Sequence, residues 1–248
     1  MFSLIDKLKT IASLLLFLML VDATAVIGQP LRVGLFPDIA PYVIATEPES
    51  GIDVDLVLDL GRRLERDIEL TMLPPARLSR MLNAGQLDMH MLHGKNGMGC
   101  ATSQSLSFWV DGITVSEKAR GLINTVPDLN GRQVAVYPAG EAFFRSQLRQ
   151  LGAPEAVVVV IPNTQLMVNM LLRNRVDAMF SELRITQYLL KIDGATSNVD
   201  LPQPLMRFAD EHRLCIADPD IAVAVDAAIK EQVAEGLFEK LAEKYLGP

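Results

Sequence analysis

The chain is poor in the residues on which metal, thiol and nucleic-acid chemistry depends. It has three histidines, two cysteines and one tryptophan in 248 residues. There is no C-x-x-C pair, which excludes a thioredoxin-type redox site and a zinc ribbon. There is no G-x-S-x-G and no H-E-x-x-H, so neither a nucleophile elbow nor a zincin helix is encoded. The stretch from Gly94 to Gly99 is glycine-rich but lacks the G-K-[ST] ending of a phosphate loop, and it reads as a turn. Basic residues number 23 against 30 acidic ones, a formal charge of −7. A phosphate partner requires a basic face, so broad nucleic-acid binding is excluded. His90 and His93 stand three apart on an expected strand and so point to opposite faces. No metal site and no cofactor are implied.

What is present first is an export signal. Lys7 and Lys9 precede a short apolar run over 11–21, and Ala23-Thr24-Ala25 follows as an A-x-A cleavage pattern. The run is too short to span a bilayer. Residues 1–25 are therefore expected to be a signal peptide, and the remainder to be periplasmic. No later apolar run approaches membrane-spanning length. In an exported chain Cys100 and Cys215 are chemically free to pair; the sequence leaves open whether they meet.

The rest alternates strands and helices. Strands are expected over 31–36, 69–72, from about 87, over 133–137, 157–161, 178–180 and 214–217. Helices are expected from Asp53 as N-cap, over 76–84, 141–151, from Asn163, from about 184, from Asp218, and after the Gly236 break. Leu56, Leu60 and Leu64 make a buried helical stripe. One phrase recurs. Gly85-Gln86-Leu87-Asp88 matches Asn174-Arg175-Val176-Asp177, 89 residues later. Gly and Asn both suit the left-handed position that stops a helix, and Asp88 and Asp177 read as structural turns. Two similar α/β units in tandem are expected, with parallel sheets covered on both faces. Trp109 reads as core, one of Phe143 and Phe144 as buried, and Arg184 and Lys118 as surface charges. Glu182 follows an apolar strand directly, at the sheet edge where α/β proteins place ligands.

The order LRVGLFPDIAPYVI, GIDVDLVLDLGRRL, LNAGQLDMHML, DLNGRQVAVYPAGEAF, RNRVDAMFSE and AVDAAIKEQVAEGLFEKLAEKYLG resembles the extracellular solute-binding proteins of the polar amino-acid (family 3) type that serve ABC importers. The resemblance implies an α/β, two-lobed periplasmic-binding-protein-like (type II) fold, with two mixed, mostly parallel sheets joined by two crossover strands. Lobe one would hold 26–115 and 207–248, and lobe two 116–206. It implies a small polar solute as ligand, an inner-membrane ABC permease or a sensing partner, a monomer, and no catalysis. Ligand contacts carried over are Asp38 and Tyr42 on the first loop, Gly140, Glu141 and Ala142 at a helix N-terminus, and Glu182 facing a ligand ammonium. The family's Thr-x-x-Arg carboxylate anchor is missing after Leu92. His93 and Lys95 stand there instead, Lys95 as a point charge rather than a planar fork. A dehydratase or lyase on the same fold is the alternative, with Glu182, Glu141 or His93 as acid or base, and a degenerate partner-binding scaffold is a third reading.

Overall fold

A computed structural model describes residues 28–37, 39–93, 99–194 and 206–247. The expected signal peptide, Asp38 and Lys95 lie outside the described residues, as does the side chain of His93. The described chain forms one sheet in the order β2-β1-β3-β9-β5-β8-β6-β7, with β4 also on β9. The strands are β1 (Leu31–Leu35), β2 (Ile68–Met72), β3 (Met89–His93), β4 (Ala101–Thr102), β5 (Ser107–Val115), β6 (Gln133–Val136), β7 (Val157–Val160), β8 (Ala178–Glu182) and β9 (Arg207–Ile216). The helices are α1 (Ile52–Arg63), α2 (Pro75–Asn83), α3 (Glu141–Gln150), α4 (Thr164–Leu172), α5 (Leu183–Ile192), α6 (Pro219–Ala234) and α7 (Leu237–Leu246). No helix among the described residues is long and apolar enough to cross a membrane.

β1, β2 and β3 pair in parallel, and so do β6, β7 and β8. The antiparallel strands β5 and β9 join these two triplets: β5 meets β9 over Ser107–Gly112 and β8 over Asp111–Val115. The sheet is thus continuous rather than split in two. Its core is not continuous. One cluster gathers Leu31, Val33, Leu56, Leu60, Met89, Leu214 and Val225, among others, around the first triplet. Separate clusters around Phe144, Phe180 and Val134, and around Met167, Val168 and Met179, serve the second.

The repeated phrase has the same structure in both halves. Gly85 has φ 68° and Asn174 has φ 52°, each stopping its helix in the left-handed region. The aspartates then anchor the first strand of each half. The N–H of Arg32 donates to Asp88 Oδ2 at 2.8 Å, and the N–H of Gln133 to Asp177 Oδ2 at 2.9 Å. Asn163 caps α4 and Asp218 caps α6, as the sequence suggests. Asp53 does not cap α1. The cap position is Gly51, and the N–H groups of Ile52 and Asp53 donate to the carbonyls of Pro41 and Tyr42. Gly51 sits at φ 132°, where a Cβ would lie 2.3 Å from the Tyr42 oxygen. Gly51→Ala is therefore expected to lower the unfolding free energy by roughly 3 kcal/mol in a denaturant titration. A change below about 0.5 kcal/mol, typical of a neutral surface substitution, would contradict this account of the turn.

Cys100 and Cys215 are disulfide-bonded. The bond lies beside the register pairs Ala101–Ile216 and Thr102–Cys215, and it clips the entry of β4 to β9.

Candidate functional site

The two linking strands build a floor between the halves. Register places Ser107 opposite His212, Trp109 opposite Asp210 and Asp111 opposite Phe208. Because side chains alternate along a strand, these six share one face. The first half adds Tyr42, whose ring centre lies 5.5 Å from that of Trp109 and 5.9 Å from that of His212. The second half adds Tyr137 and Phe143. Gly140 lets the Tyr137 ring lie beneath the start of α3, since a Cβ there would meet the ring at 2.5 Å. Phe143 packs edge-on to Phe208 with centroids 4.9 Å apart.

Two carboxylates face each other across this floor, Glu182 at the end of β8 and Asp111 on β5. Each accepts a bond from a tyrosine. Tyr137 Oη donates to Asp111 Oδ2 at 3.1 Å, and Tyr42 Oη donates to Glu182 Oε1 at 3.0 Å. Glu182 Oε1 also accepts from the Val110 N–H at 3.1 Å, and Oε2 accepts from the Ile185 N–H at 2.7 Å, capping α5. Burial pushes Glu182 up to about 7, against the pull of these donors and of Arg184. Burial likewise pushes Asp111 up to about 6, opposed by the Tyr137 bond and reinforced by Asp210. Asp111 Oδ1 has no hydrogen-bond partner among the described residues.

Arg184 is not the surface charge the sequence suggests. Its guanidinium lies 4.9 Å from the ring centres of both Phe108 and Phe238. It donates to the Phe108 carbonyl at 3.3 Å and stands 3.8 Å from Glu182 Oε1. Such a cation–π seat suits arginine's planar, weakly hydrated head.

Ser107, Asp53 and His212 form a buried constellation that superficially resembles a hydrolytic triad. Its order is wrong for that chemistry. Ser107 Oγ donates to Asp53 Oδ1 at 3.0 Å, and His212 Nδ1 lies 3.4 Å from Asp53 Oδ2. The carboxylate stands between hydroxyl and imidazole, so no base sits on the serine. Among the described residues no three His, Cys, Asp or Glu side chains converge on a metal position.

The structure treats the other expected contacts unevenly. Tyr42 and Glu182 come together, but as partners of one another; both are buried, and Tyr42 is fully enclosed. Gly140 and Glu141 do not offer free N–H groups. These donate to the carbonyls of Tyr137 and Pro138 in a tight turn. The Glu141 carboxylate pairs with Arg145 at 2.8 Å. Ala142 is exposed at the start of α3. The backbone of His93 stands opposite His212. Trp109 is half-buried and packs against the first core, Phe144 is buried and Phe143 exposed. Sequence reasoning missed Asp111, Tyr137 and Asp210. An acid inside the otherwise apolar Phe108-Trp109-Val110-Asp111 run is the signal that marks the first of them. A cavity of about 320 Å³ also opens between the halves, lined by Ile39, Val43 and Ile44 on one side and by Gln165, Ile185 and Leu189 on the other.

Comparison with solved structures settles the architecture. The ligand-binding core of GluR0 in complex with L-glutamate matches with a TM-score of 0.72 at 15% identity, over 89% of this chain and 99% of that one. This is a periplasmic-binding-protein fold. AncCDT-1, an ancestral amino-acid-binding protein and precursor of cyclohexadienyl dehydratase, shares that fold with a TM-score of 0.66 at 20% identity, covering 88% and 95% of the two chains. The amino acid ABC transporter substrate-binding protein AbpA from Streptococcus pneumoniae Canada MDR_19A, bound to L-arginine, gives 0.65 at 19%, covering 88% and 94%. No protein-family model matches the sequence, and no curated protein does.

Proposed function

We propose that the chain is an exported, periplasmic solute-binding protein. It captures a small polar solute, an amino acid or a relative of one, between its two halves, for delivery to an inner-membrane ABC permease or for sensing. The observation that carries this reading is the floor itself. Separate cores stand on either side of β5 and β9, and side chains of both halves converge on two acids there, the buried Glu182 and the half-buried Asp111. Hinged closure around a ligand is what such a layout permits. The lobes would be 26–115 with 207–248, and 116–206. Asp38, His93 and Lys95 would approach the solute from the first lobe, and the solute would be released unchanged. The disulfide fits an oxidising compartment.

One observation favours a second reading. Acids held near neutrality, as Glu182 and Asp111 are, suit general acid–base work, and a dehydratase or lyase of small carboxylates would use them. Recovery of a bound solute after incubation separates the two, since a binding protein returns it intact.

The test is a thermal-shift screen of residues 26–248 against amino acids, short peptides, organic acids and polyamines. At a hundredfold excess over its dissociation constant a true ligand adds about 2.7 kcal/mol to the folded state. A melting point unmoved across the whole library would overturn the assignment.

A further inference from the structure

We infer that Tyr42, Glu182 and Arg184 form a latch that holds the two halves of this protein together through contacts of its own, with no share for a solute. Tyr42 belongs to the first loop and packs in the first core. Glu182 and Arg184 belong to the second half, at the start of α5. Their contacts cross the seam in three ways. The Tyr42 hydroxyl donates to Glu182 Oε1 at 3.0 Å. Arg184 Nη1 approaches the same hydroxyl at 3.5 Å. The Arg184 guanidinium is held between Phe108 of the linking strand and Phe238 of α7, and Ile185 beside it packs on the first core.

The chemistry suits a device with two positions. With the halves together, the buried Glu182 carboxylate accepts hydrogen bonds from three donors. Two of them are the N–H groups of Val110 on the linking strand and of Ile185 in α5 itself. Only the Tyr42 hydroxyl comes from the loop of the first half. Parting the halves breaks the Tyr42 bond and the Arg184 contacts with Phe108 and Phe238, and it admits water to a carboxylate and a guanidinium that both gain from hydration, which offsets the lost contacts. A solute ammonium that reaches Glu182 Oε1 must take the place of the Tyr42 hydroxyl. The latch therefore opposes capture of solutes at this oxygen and sets the threshold for it.

The test needs no solute, so its outcome is independent of whether solute capture is confirmed. Spin labels on cysteines placed at the exposed Leu58 of α1 and Leu166 of α4 report the separation of the halves, with the native disulfide intact. The parent is expected to show one dominant short distance. Tyr42→Phe keeps the ring and its packing but removes the hydroxyl, and it should move the open-to-closed ratio about tenfold toward open, as befits one hydrogen bond to a charged group. Arg184→Gln, whose change lies at the seam and leaves the Tyr42 packing intact, should shift the same ratio in the same direction. Distance distributions in both variants that superimpose on the parent's would overturn the latch.

Discussion

Replacing Cys100 and Cys215 together by alanine is expected to lower the free energy of unfolding by about 4–5 kcal/mol. The bond closes a loop of 115 residues, and on the chain-entropy account a loop of roughly this size restrains the unfolded chain by that amount. Guanidinium titrations of parent and double variant under oxidising conditions measure it. Parent and variant should coincide once reductant is added, because both then unfold to the same open chain. A difference below about 1 kcal/mol under oxidising conditions would show that the reduced unfolded chain keeps its own restraint. The bond also has a local consequence. The segment bearing Lys95 is flanked on one side by β3, whose His93 is paired to His212, and on the other by Cys100, tied to Cys215. Both anchors lie on β9, so loss of the disulfide is expected to weaken any solute contact made from that segment.

The second large effect is on pH. Glu182 is held at about 7 in the folded protein, against 4.5 for a free glutamate. A carboxyl whose folded value is raised stabilises the fold fully below the lower value, and that contribution is lost as pH rises through the higher one. The window is thus pH 4.5 to about 7, and the loss across it is about 3 kcal/mol. The groups around Glu182 are Tyr42 on the first loop, Arg184 on α5, Tyr137 in the second half, and Asp111 opposite it on β5. Asp111 adds a smaller loss of the same sign between its ordinary 3.8 and about 6. Glu182→Gln cannot ionise. Its unfolding free energy should therefore fall less than the parent's between pH 4.5 and 7.5, with only the Asp111 part of the decline remaining. A variant that tracks the parent across this window would show that Glu182 is not the group responsible.

Much of the fold was legible locally. The paired stops at Gly85 and Asn174, with their following aspartates, announce two similar halves because a left-handed residue and a strand-anchoring acid are needed at the same place in each. Glu182 is legible because an acid that directly follows an apolar strand falls at the sheet edge. The linking strands were less so. The first part of β5 (Phe108-Trp109-Val110-Asp111) and of β9 (Arg207-Phe208-Ala209-Asp210) sets charged residues beside aromatics where the strands leave the cores, and no simple period marks them. Tyr42 reads as a ligand-facing aromatic from its loop. In the structure its hydroxyl donates to a carboxylate 140 residues away. Arg184 looks like a surface charge because the rings that hold it come from β5 and α7. Gly140 and Glu141 look like an anion site until the turn that engages their N–H groups is seen. Contacts of that range leave no trace in local spacing.

The most direct test of capture between the halves uses Trp109, the single tryptophan, which sits on a linking strand beside Tyr42 and His212. Its fluorescence would be titrated with a solute that raises the melting point, followed by dialysis and chemical analysis of the solute. Capture at the floor predicts a saturable one-to-one change that dialysis reverses, with the solute recovered unaltered. A melting-point rise with no change at Trp109 would place binding elsewhere, and a solute recovered as a different compound would make this protein an enzyme.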